Sequence, residues 1–417
     1  MKNKNMEKEN EIKTMVPTLR FPEFREQIGW EVEPLSNILD YERPDNFIVE
    51  TETYCEEGIP VLTANKSFIL GYTRESTGIY VNLPVIIFDD FTTDKKYVNF
   101  PFKVKSSAIK ILHTKRHTDI LRFIYELMSQ ITFEAKEHKR YYISTYQRIQ
   151  VPLPKENEQY KIAECLSSLD RLIEATTQKV DALKEHKKGL MQRLFPAEGK
   201  NVPDLRFPEF RRTSAWEEKR LGDVVEIKGR IGFRGYTTKD IVEQGDGAIS
   251  LSPTNITDNG NLNFEKSTYI SWEKYKESPE IQLKNGYIVL VKTGSSYGKS
   301  ALVKELPAKT TVNPQIVVLK PKDGINEHFI SALISHSMVQ RQIKCAVVGG
   351  AIPTLSQESI SKFDILYPRR TSHTPSEQRK IANCLSSLDE LIEAISRKVE
   401  ILKNHKKGLM QQLFPKN

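Results

Sequence analysis

The sequence predicts an α+β protein in which two mixed α/β domains have a pseudo-two-fold arrangement and are separated by an antiparallel coiled coil of two long helices. Three observations lead to this fold class. The chain of 417 residues contains two framework segments twice, one of these segments has an unbroken heptad pattern, and the intervening regions contain short strand-like runs. At roughly 100–200 residues per domain, the length allows two or three domains.

The repeated segments define a framework. The shorter one reads Val16-Pro-Thr-Leu-Arg-Phe-Pro-Glu-Phe-Arg25 and returns at 202–211, where only Thr18 is changed, to Asp204. The longer one covers 158–196 and returns at 377–415, with about 29 of 39 positions identical. Between these segments the halves diverge, and the second variable region is the longer of the two. Neutral drift after a recent duplication is the alternative, but drift would have changed both parts alike, so we interpret the matched segments as a surface for one partner used twice.

Each copy of the longer segment predicts a coiled-coil helix, because apolar residues recur at alternating steps of four and three. The first seam consists of Ile162, Leu166, Leu169, Ile173, Thr176, Val180, Leu183, Lys187, Leu190 and Leu194. The second consists of Ile381, Leu385, Leu388, Ile392, Ile395, Val399, Leu402, Lys406, Leu409 and Leu413. Lys187 and Lys406 interrupt the two seams at the same place, and a polar seam residue often fixes register at some cost in stability.

Two such seams in one chain pair most simply with each other. At a rise of 1.5 Å per residue each seam is about 50 Å long, and antiparallel pairing would place the variable domains at opposite ends of a rod. The alternative is two amphipathic helices, each packed on its own domain. Thr374-Pro375-Ser376-Glu377 predicts a capping box at the start of the second helix, and Phe195-Pro196 and Phe414-Pro415 are expected to end the helices.

The repeats divide the chain into five predicted parts. These are a disordered tail at 1–15, a first variable domain at 16–154, a central helix at 155–200, a second variable domain at 201–368 and a C-terminal helix at 369–417. In the first variable domain, 59–63 and 84–88 predict strands and 120–131 predicts a helix. In the second, 223–227 and 287–291 predict strands and 327–339 predicts a helix.

Composition excludes some classes of protein and only weakly supports others. Lys and Arg total 62 against 54 Asp and Glu, a net charge of +8 that only weakly suggests a polyanionic partner. No run of about 18 apolar residues is present, which argues against a membrane protein, and the start lacks the apolar region of a signal peptide. The four cysteines, Cys55, Cys165, Cys345 and Cys384, are scattered, so we expect no disulfide framework or zinc site and a reducing, cytoplasmic location.

Three motifs suggest catalysis but depart from the pattern that catalysis needs. Gly294-Ser-Ser-Tyr-Gly298-Lys299-Ser300 has three residues between its glycines where a Walker A loop has four, so we interpret it as a glycine-rich hairpin or a DNA-facing loop. Asn313-Pro314-Gln315-Ile316 lacks the second proline and the aromatic residue of the N6-methyltransferase signature. Pro203-Asp204 with Glu217-Glu-Lys219 fits a loose nuclease pattern that the first copy does not share. The sequence therefore predicts neither catalytic residues nor a metal site.

Both variable domains mix basic residues with aromatic residues and glycine. Arg and Lys neutralise phosphates, Arg reads guanine edges, and glycine lets the backbone approach a duplex. The predicted DNA contacts in the first domain are Lys95, Lys96, Lys103, Lys105, Lys139, Arg140 and Tyr141. Those in the second domain are Lys228, Arg230, Arg234, Tyr236, Lys292, Ser295, Ser296, Tyr297 and Lys299. The alternative for any one lysine is a solvated surface charge.

The chain after its tail resembles the specificity subunit of type I restriction–modification systems. The resemblance lies in the doubled Leu-Arg-Phe-Pro-Glu-Phe…Trp segments, the two unlike domains, and the two helices with Glu-Gln-x-Lys-Ile-Ala…Cys-Leu-Ser-Ser-Leu-Asp. It implies that each variable region is a target-recognition domain for one half of a bipartite, asymmetric double-stranded DNA site, and that the helices set the gap between the half-sites.

The resemblance also implies partners and further contacts. Two modification subunits with S-adenosylmethionine would methylate adenine, and motor–endonuclease restriction subunits would use ATP and Mg²⁺; no cofactor is expected in this chain. Recognition domains of the family often contact DNA near Gly-x-x-x-Thr-type segments, which implies Gly350 and Thr354 as contacts. The equivalent stretch of the first domain, 141–145, lacks the glycine pair.

Two other functions stay open from the sequence. A stand-alone two-domain DNA-binding regulator would bind its site tightly without enzymatic partners. A scaffold that uses the rod for protein contacts would have no salt-dependent affinity for DNA.

Overall fold

The computed structural model describes residues 14–51, 53–63, 67–135, 137, 139–230, 235–346, 354–369 and 376–415. The strands are β1 Thr14–Met15, β2 Trp30–Pro34, β3 Leu39–Glu42, β4 Ile59–Leu62, β5 Ile69–Thr73, β6 Val85–Asp89, β7 Lys95–Val98, β8 Lys103–Val104, β9 Ile109–Thr114, β10 Gln150–Leu153, β11 Glu217–Arg220, β12 Val225–Gly229, β13 Ile241–Val242, β14 Gly247–Leu251, β15 Thr268–Ser271, β16 Ile288–Val291, β17 Ser300–Leu302, β18 Thr310–Val312, β19 Ile316–Pro321 and β20 Asp364–Tyr367. The α-helices are α1 Leu35–Ile38, α2 Leu121–Ser129, α3 Glu156–Leu194, α4 Leu221–Val224, α5 Trp272–Lys276, α6 Glu327–Ser335, α7 Ser337–Ala346, α8 Gln357–Ser361 and α9 Glu377–Leu413.

These elements form two compact units. The first contains the described residues of Met1–Thr177 and Arg397–Asn417, and the second contains those of Gln178–Ser396. The boundaries cut both long helices. Each unit therefore holds one variable domain, the start of the helix that follows this domain, and the end of the other long helix.

The first unit has three sheets. Strands β3-β9-β6-β7 form an antiparallel sheet in that order. In the second sheet, β5-β4-β8, strand β4 pairs antiparallel with β5 and parallel with β8. The third sheet, β1-β2-β10, joins the two ends of the domain. Helix α2 packs on the domain with Phe123, Ile124 and Met128 fully buried, because its apolar residues recur at helical spacing.

The variable domain of the second unit has a similar topology, although its sequence differs from that of the first. Its antiparallel sheet has the order β12-β19-β16-β17, and its second main sheet, β13-β15-β14-β18, again has one parallel pair, β14 with β18. Strands β11 and β20 join the ends of the domain as β2 and β10 do in the first unit. The predicted α+β class with two mixed domains is confirmed. In addition, the two domains share one fold although their sequences diverge.

Most predicted elements of the variable domains are present. The strands expected at 59–63, 84–88 and 287–291 correspond to β4, β6 and β16, and the helix expected at 120–131 corresponds to α2. The strand expected at 223–227 is wrong in its first half, since Leu221–Val224 form the helical turn α4 before β12 begins.

Two further boundaries differ from expectation. The helix predicted at 327–339 is broken at His336, whose backbone is extended between α6 and α7. Thr14 and Met15, placed in the predicted tail, form β1 and pair with Glu31 and Trp30 of β2. The rest of the predicted tail, 1–13, lies outside the described residues.

The two long helices follow the predicted heptad pattern. All twenty seam positions are buried or half-buried, whereas most of the positions between them are exposed. Helix α3 ends at Leu194 and α9 at Leu413, each directly before the predicted Phe-Pro stop. Thr374 and Pro375 of the predicted capping box lie outside the described residues.

The helices pack antiparallel inside each unit. In the first unit, Ile162 and Leu166 near the start of α3 share a core with Leu409 and Leu413 near the end of α9. In the second unit, the end of α3 shares a core with the start of α9, through residues such as Leu194 and Ile381. The alternative in which each helix packs only on its own domain is therefore wrong.

Candidate nucleic-acid interface

A buried ion pair joins the short repeated segment to the start of the long helix in each unit. In the first unit, Arg20 donates from Nε and Nη2 to Glu158 at 2.8 and 2.7 Å. In the second, Arg206 donates to Glu377 at 2.6 and 2.7 Å. The side chains of all four residues are at most 6% exposed. Each arginine also donates to two backbone carbonyls of the loop that follows its segment. The identical residues of the repeat thus build the same joint twice.

An aromatic cluster anchors each variable domain to the end of a long helix. Trp30, Phe123 of α2 and Phe414 have ring centroids 5.4–6.2 Å apart in the first unit. Trp216, Phe329 of α6 and Phe195 have centroids 5.4–5.9 Å apart in the second. Each domain is therefore held by the helix that begins after it and by the helix that ends in Phe-Pro.

In the first unit, the β6–β7 hairpin meets the segment that follows α2. The backbone N–H of Tyr141 donates to the carbonyl of Asp90 at 2.8 Å, and the N–H of Tyr142 donates to the Asp90 carboxylate at 2.8 Å. The Arg140 guanidinium lies 6.0 Å from the ring centroid of Phe91 at the hairpin tip. Thr93 in this tip has φ of 63°, a left-handed conformation that non-glycine residues rarely adopt. Backbone strain of this kind is concentrated at functional sites.

In the second unit, the glycine-rich loop is a hairpin between β16 and β17, as predicted, and Gly294 and Gly298 take positive φ values of 100° and 86°. The N–H of Leu355 donates to the carbonyl of Lys292 at 2.8 Å, and Thr354 bridges to Thr293. The hairpin and the segment at 354–355 thus meet as the equivalent parts of the first unit do.

A third loop joins the hairpin of the second unit. The N–H of Lys292 donates to the Gln315 carbonyl at 2.8 Å, which places the Asn313–Gln315 turn beside the loop. In this turn the Asn313 carboxamide accepts a hydrogen bond from the Gln315 N–H at 3.0 Å. Sequence reasoning considered these residues only as a failed catalytic motif. No local sequence pattern indicates that these residues lie next to the hairpin.

Several predicted DNA contacts lie at these converging loops. In the first unit, Lys139 and Arg140 are exposed beside the hairpin. In the second unit, Ser295 and Thr354 are exposed, whereas Lys292, Ser296, Tyr297 and Lys299 are half-buried. Lys299 pairs with Asp258 at 2.5 Å, and both groups are accessible to solvent. Such exposed pairs are weak and can exchange for a phosphate.

Three predicted contacts are placed in the interior instead. The Lys103 ammonium, on a residue 1% exposed, binds Glu75 at 2.5 Å and the Thr77 carbonyl at 2.8 Å. Arg230 is 4% exposed and donates to the Val312 carbonyl at 3.2 Å. Tyr141 is also 4% exposed, and its hydroxyl donates to the carbonyl of residue 137. These side chains have structural partners within the domain and cannot reach a duplex without leaving them, so we do not carry them into the proposed interface.

The remaining predicted contacts either have other neighbours or lie outside the described residues. Lys96 of β7 lines a recess with Arg122 and Lys406, and Lys228 pairs with Glu226 on β12. Lys95 lies 5.8 Å from the Tyr146 ring centroid, Lys105 lies 5.8 Å from that of Tyr54, and Tyr236 accepts a hydrogen bond from Ser250. Arg234 and Gly350 lie outside the described residues.

Local burial changes the proton affinity of some of these groups. Burial lowers the pKa of the Lys95 ammonium, an effect that Asp94 partly offsets, and burial also lowers the pKa of Lys292. The hydrogen bond from Lys139 to Glu137 raises the pKa of Lys139 instead.

Each unit also contains an ion pair at its seam lysine. Lys187 of α3 contacts Asp389 of α9 at 2.6 Å in the second unit. Lys406 of α9 contacts Asp170 of α3 at 2.7 Å in the first. In the repeat, Asp170 corresponds to Asp389 and Lys187 corresponds to Lys406. The two pairs therefore join the same two repeat positions, and in each pair the lysine comes from one copy and the aspartate from the other.

In the first unit the seam pair extends to the variable domain. Glu126 of α2, with a side chain 2% exposed, accepts from Lys406 at 3.3 Å and from Arg122 at 2.5 Å. Arg122 also contacts Asp170. Four alternating charges thus connect α2 to both long helices.

Three other observations bear on the kind of protein. No helix of the described ranges is both long and apolar enough to span a membrane. Within those ranges no group of three or more His, Cys, Asp or Glu side chains is placed to hold a metal ion. The four cysteines are not disulfide-bonded.

Fold and site together define a class of protein: two recognition modules of one topology but different surface sequence, carried on a duplicated helical framework. The chain matches the model of the type I restriction modification DNA specificity domain over residues 27–185 and 213–403, and it belongs to this family.

Relatives across the family agree with this assignment. The chain is 31% identical over 387 residues to the EcoR124I/EcoR124II type I restriction enzyme specificity subunit of Escherichia coli, covering 88% of this chain and 89% of that one. It is 22% identical over 415 residues to the MjaVIII specificity subunit of Methanocaldococcus jannaschii, covering 95% and 93%. The crystal structure of the type I restriction–modification S subunit of M. genitalium has the same fold, with a TM-score of 0.64, 16% identity, and coverage of 97% and 100%. A second solved chain, from work on complex assembly and conformational transition of the type I system, has a TM-score of 0.50 at 15% identity, with coverage of 92% and 96%.

Proposed function

We propose that this specificity subunit reads a bipartite, asymmetric double-stranded DNA site, with one half-site bound by each variable domain. The observation that carries the proposal is the presence of one domain fold twice with different side chains at the same loop edge. Equal folds on an equal framework present their hairpins in the same way, whereas unequal side chains read different bases. A framework of two matched copies that carries two different variable domains therefore fits an asymmetric site.

In the first domain the proposed contacts are Lys139 and Arg140 with the hairpin tip at Phe91. Arg140 is exposed, and its planar guanidinium can bind a phosphate or a guanine edge. In the second domain the proposed contacts are Lys292, Ser295 and Lys299 of the hairpin, with Thr354 beside it. Gly294 and Gly298 take positive φ values that other residues rarely adopt, and neither position has a side chain that would keep the backbone away from the duplex.

The framework would bind the enzymatic partners. Because the matched segments form the same joint twice, they offer the same surface to two modification subunits, which would carry S-adenosylmethionine and methylate adenine. Motor–endonuclease restriction subunits would join this complex and use ATP and Mg²⁺. In this proposal the chain itself is non-catalytic, needs no cofactor of its own, and works in the cytoplasm, where the DNA is.

Single substitutions in each domain test the assignment of half-sites. Arg140→Ala should weaken binding to the first half-site, and Lys299→Ala should weaken binding to the second, each by about 1–3 kcal/mol where a base edge is contacted. A contact to phosphate alone would instead lower the salt slope of binding by about 1. Lys188→Ala and Lys403→Ala are matched controls, since these lysines are exposed on the long helices, one in each unit, and belong to neither loop cluster.

The measurement is binding of the subunit, with its modification subunits, to duplexes in which one half-site is scrambled. If Arg140→Ala lowered the affinity for both half-sites equally, the assignment of one half-site to each domain would be wrong. Tight binding by the chain alone, with no gain from modification subunits, would favour a stand-alone regulator. Binding that does not depend on salt would favour a protein scaffold.

The helices would act as a spacer between the half-sites. Insertion of one heptad into both α3 and α9 keeps the heptad pattern and lengthens the pair by about 10 Å, or roughly three base pairs. We expect the methylated motif to gain a gap of this size. An unchanged gap would refute the spacer role.

A further inference from the structure

The two seam ion pairs fit the same register of α3 against α9. The step along the first helix from Asp170 to Lys187 equals the step back along the second helix from Lys406 to Asp389. Each unit shows its own pair by direct contact, so the same register is present in both. The charges are also partly shielded, with lysine side chains 24% and 17% exposed.

The charge pattern discriminates against other pairings of the same seams. A slip by one heptad keeps every apolar contact of the seam type but moves each lysine about 10 Å from its aspartate. In a parallel alignment of the matched copies, Lys187 would lie beside Lys406 in the seam. The apolar residues of the seam alone do not distinguish these states, because a heptad seam looks the same after a shift of one heptad.

We infer that the two seam ion pairs, Asp170–Lys406 and Asp389–Lys187, consist of positioning residues. They select the register of the helix pair and thereby fix the gap between the half-sites. This inference rests on the proposed spacer function of the helices. A lysine in an otherwise apolar seam costs stability, which is the known cost of register selection by a polar seam residue. The lysines therefore contribute specificity of pairing rather than strength.

The two pairs are not equal in their surroundings. Asp170 and Lys406 are held by Arg122 and Glu126 of α2, so the first pair also links the register to the orientation of the first domain. By position in the shared fold, Ala332 of α6 takes the place of Glu126 in the second unit. Substitutions at the second pair therefore test register without depriving a buried carboxylate of α6 of its partner.

The test compares an apolar seam with a charge exchange. Lys187→Leu with Lys406→Leu completes both apolar seams and should allow more than one register. Lys406→Leu also removes one of the two basic partners of the buried Glu126, so the readout is the register and not the melting temperature. Lys187→Asp with Asp389→Lys exchanges the charges of the second pair and should keep the native register. Lys187→Asp alone, which places two carboxylates together, is the matched control for the exchange.

Register can be measured directly in the full chain by the distance between two spin labels. Lys179 and Asn383 are exposed positions of α3 and α9 in the second unit, and the native register separates them by about 21 Å along the helix axis. In a background without the four native cysteines, we expect one narrow distance for the native seam and for the charge exchange. The double leucine variant should show a second population shifted by about 10 Å, the rise of one heptad.

A single, unchanged distance in the double leucine variant would overturn the inference, and so would a broad distribution in the charge-exchange variant. If the leucine variant does not fold, the exchange and its single-substitution control decide the question alone. The functional readout is methylation, with co-expressed modification subunit, of duplexes whose gaps differ by about three base pairs, the length of one heptad. If the native chain directs methylation of no bipartite site, the proposed function fails, whereas the label distance still reports the register.

Discussion

Loss of the buried carboxylate Glu377 should destabilise the second unit far more than loss of an exposed charge nearby. Glu377→Gln removes the negative charge that accepts two hydrogen bonds, at 2.6 and 2.7 Å, from Arg206. The guanidinium is then left buried and uncompensated, and breaking a buried pair in this way typically costs about 3–5 kcal/mol. At about 2–4 °C per kcal/mol for a unit of this size, the melting temperature should fall by roughly 6–20 °C.

The assay is thermal and urea unfolding of the full chain, with Lys380→Gln as the control. Lys380 pairs with Glu209 at 2.8 Å on the surface of the same joint, and such pairs contribute at most about 1 kcal/mol. Glu158→Gln should give a similar loss in the first unit, because it removes the matching pair. Replacing both members, with Arg206→Met and Glu377→Leu, should recover most of the stability. A loss for Glu377→Gln no larger than that of the control would refute the reasoning.

Three further predictions concern stability. Burial lowers the pKa of His336, whose ring stacks on Phe195, so as the pH falls the unfolded chain takes up a proton before the folded chain does. The contribution of neutral His336 to the stability of the second unit should therefore be complete above about pH 6.5 and decrease below it. His336→Asn should remove this decrease in melting curves recorded from pH 7 to 5. Gly189→Ala and Gly408→Ala should each raise the free energy of unfolding by about 0.5–1 kcal/mol, because both glycines lie inside helices with open space at the Cβ position; no rise in the urea midpoint would contradict this. Gly247→Ala should lower the free energy of unfolding by about 1–3 kcal/mol or more, since its Cβ would lie 2.0 Å from the Ile270 carbonyl oxygen, and an unchanged melting temperature would show that the strand yields.

The long helices were predictable because their signal is local and repeated. Heptad spacing alone located both seams, and the matched lysines marked a shared feature before any contact was known. The aspartate partners were not identified, because Asp170 and Asp389 flank the seam and look like ordinary surface charges. Pairing between parts of the chain that are so distant in sequence leaves no trace in periodicity.

The common topology of the variable domains was not predicted. Their strands are short and their sequences share no pattern, so only the contacts reveal that β6–β7 and β16–β17 are equivalent hairpins. The break at His336 has a similar cause. The ring stacks on Phe195, at the end of a distant helix, and this tertiary contact overrides the local helical spacing.

The candidate interface was predicted in part. The glycine-rich loop was recognised from its spacing, and Lys139, Arg140 and Lys299 lie at the converging loops. Lys103 and Arg230 were chosen by the same rule but are buried, because their partners Glu75 and Val312 come from distant parts of the chain. A basic residue next to aromatic residues has the same appearance in sequence whether it faces solvent or the interior.

The central claim, that this chain directs modification to a bipartite DNA site, is tested most directly by mapping methylated adenines in genomes of cells with and without it. The account predicts one motif with two unlike halves and a fixed gap, methylated only when the chain is present, and loss of specificity at one half-site when Arg140 or Lys299 is changed. An identical set of methylated motifs in both cell lines would contradict it.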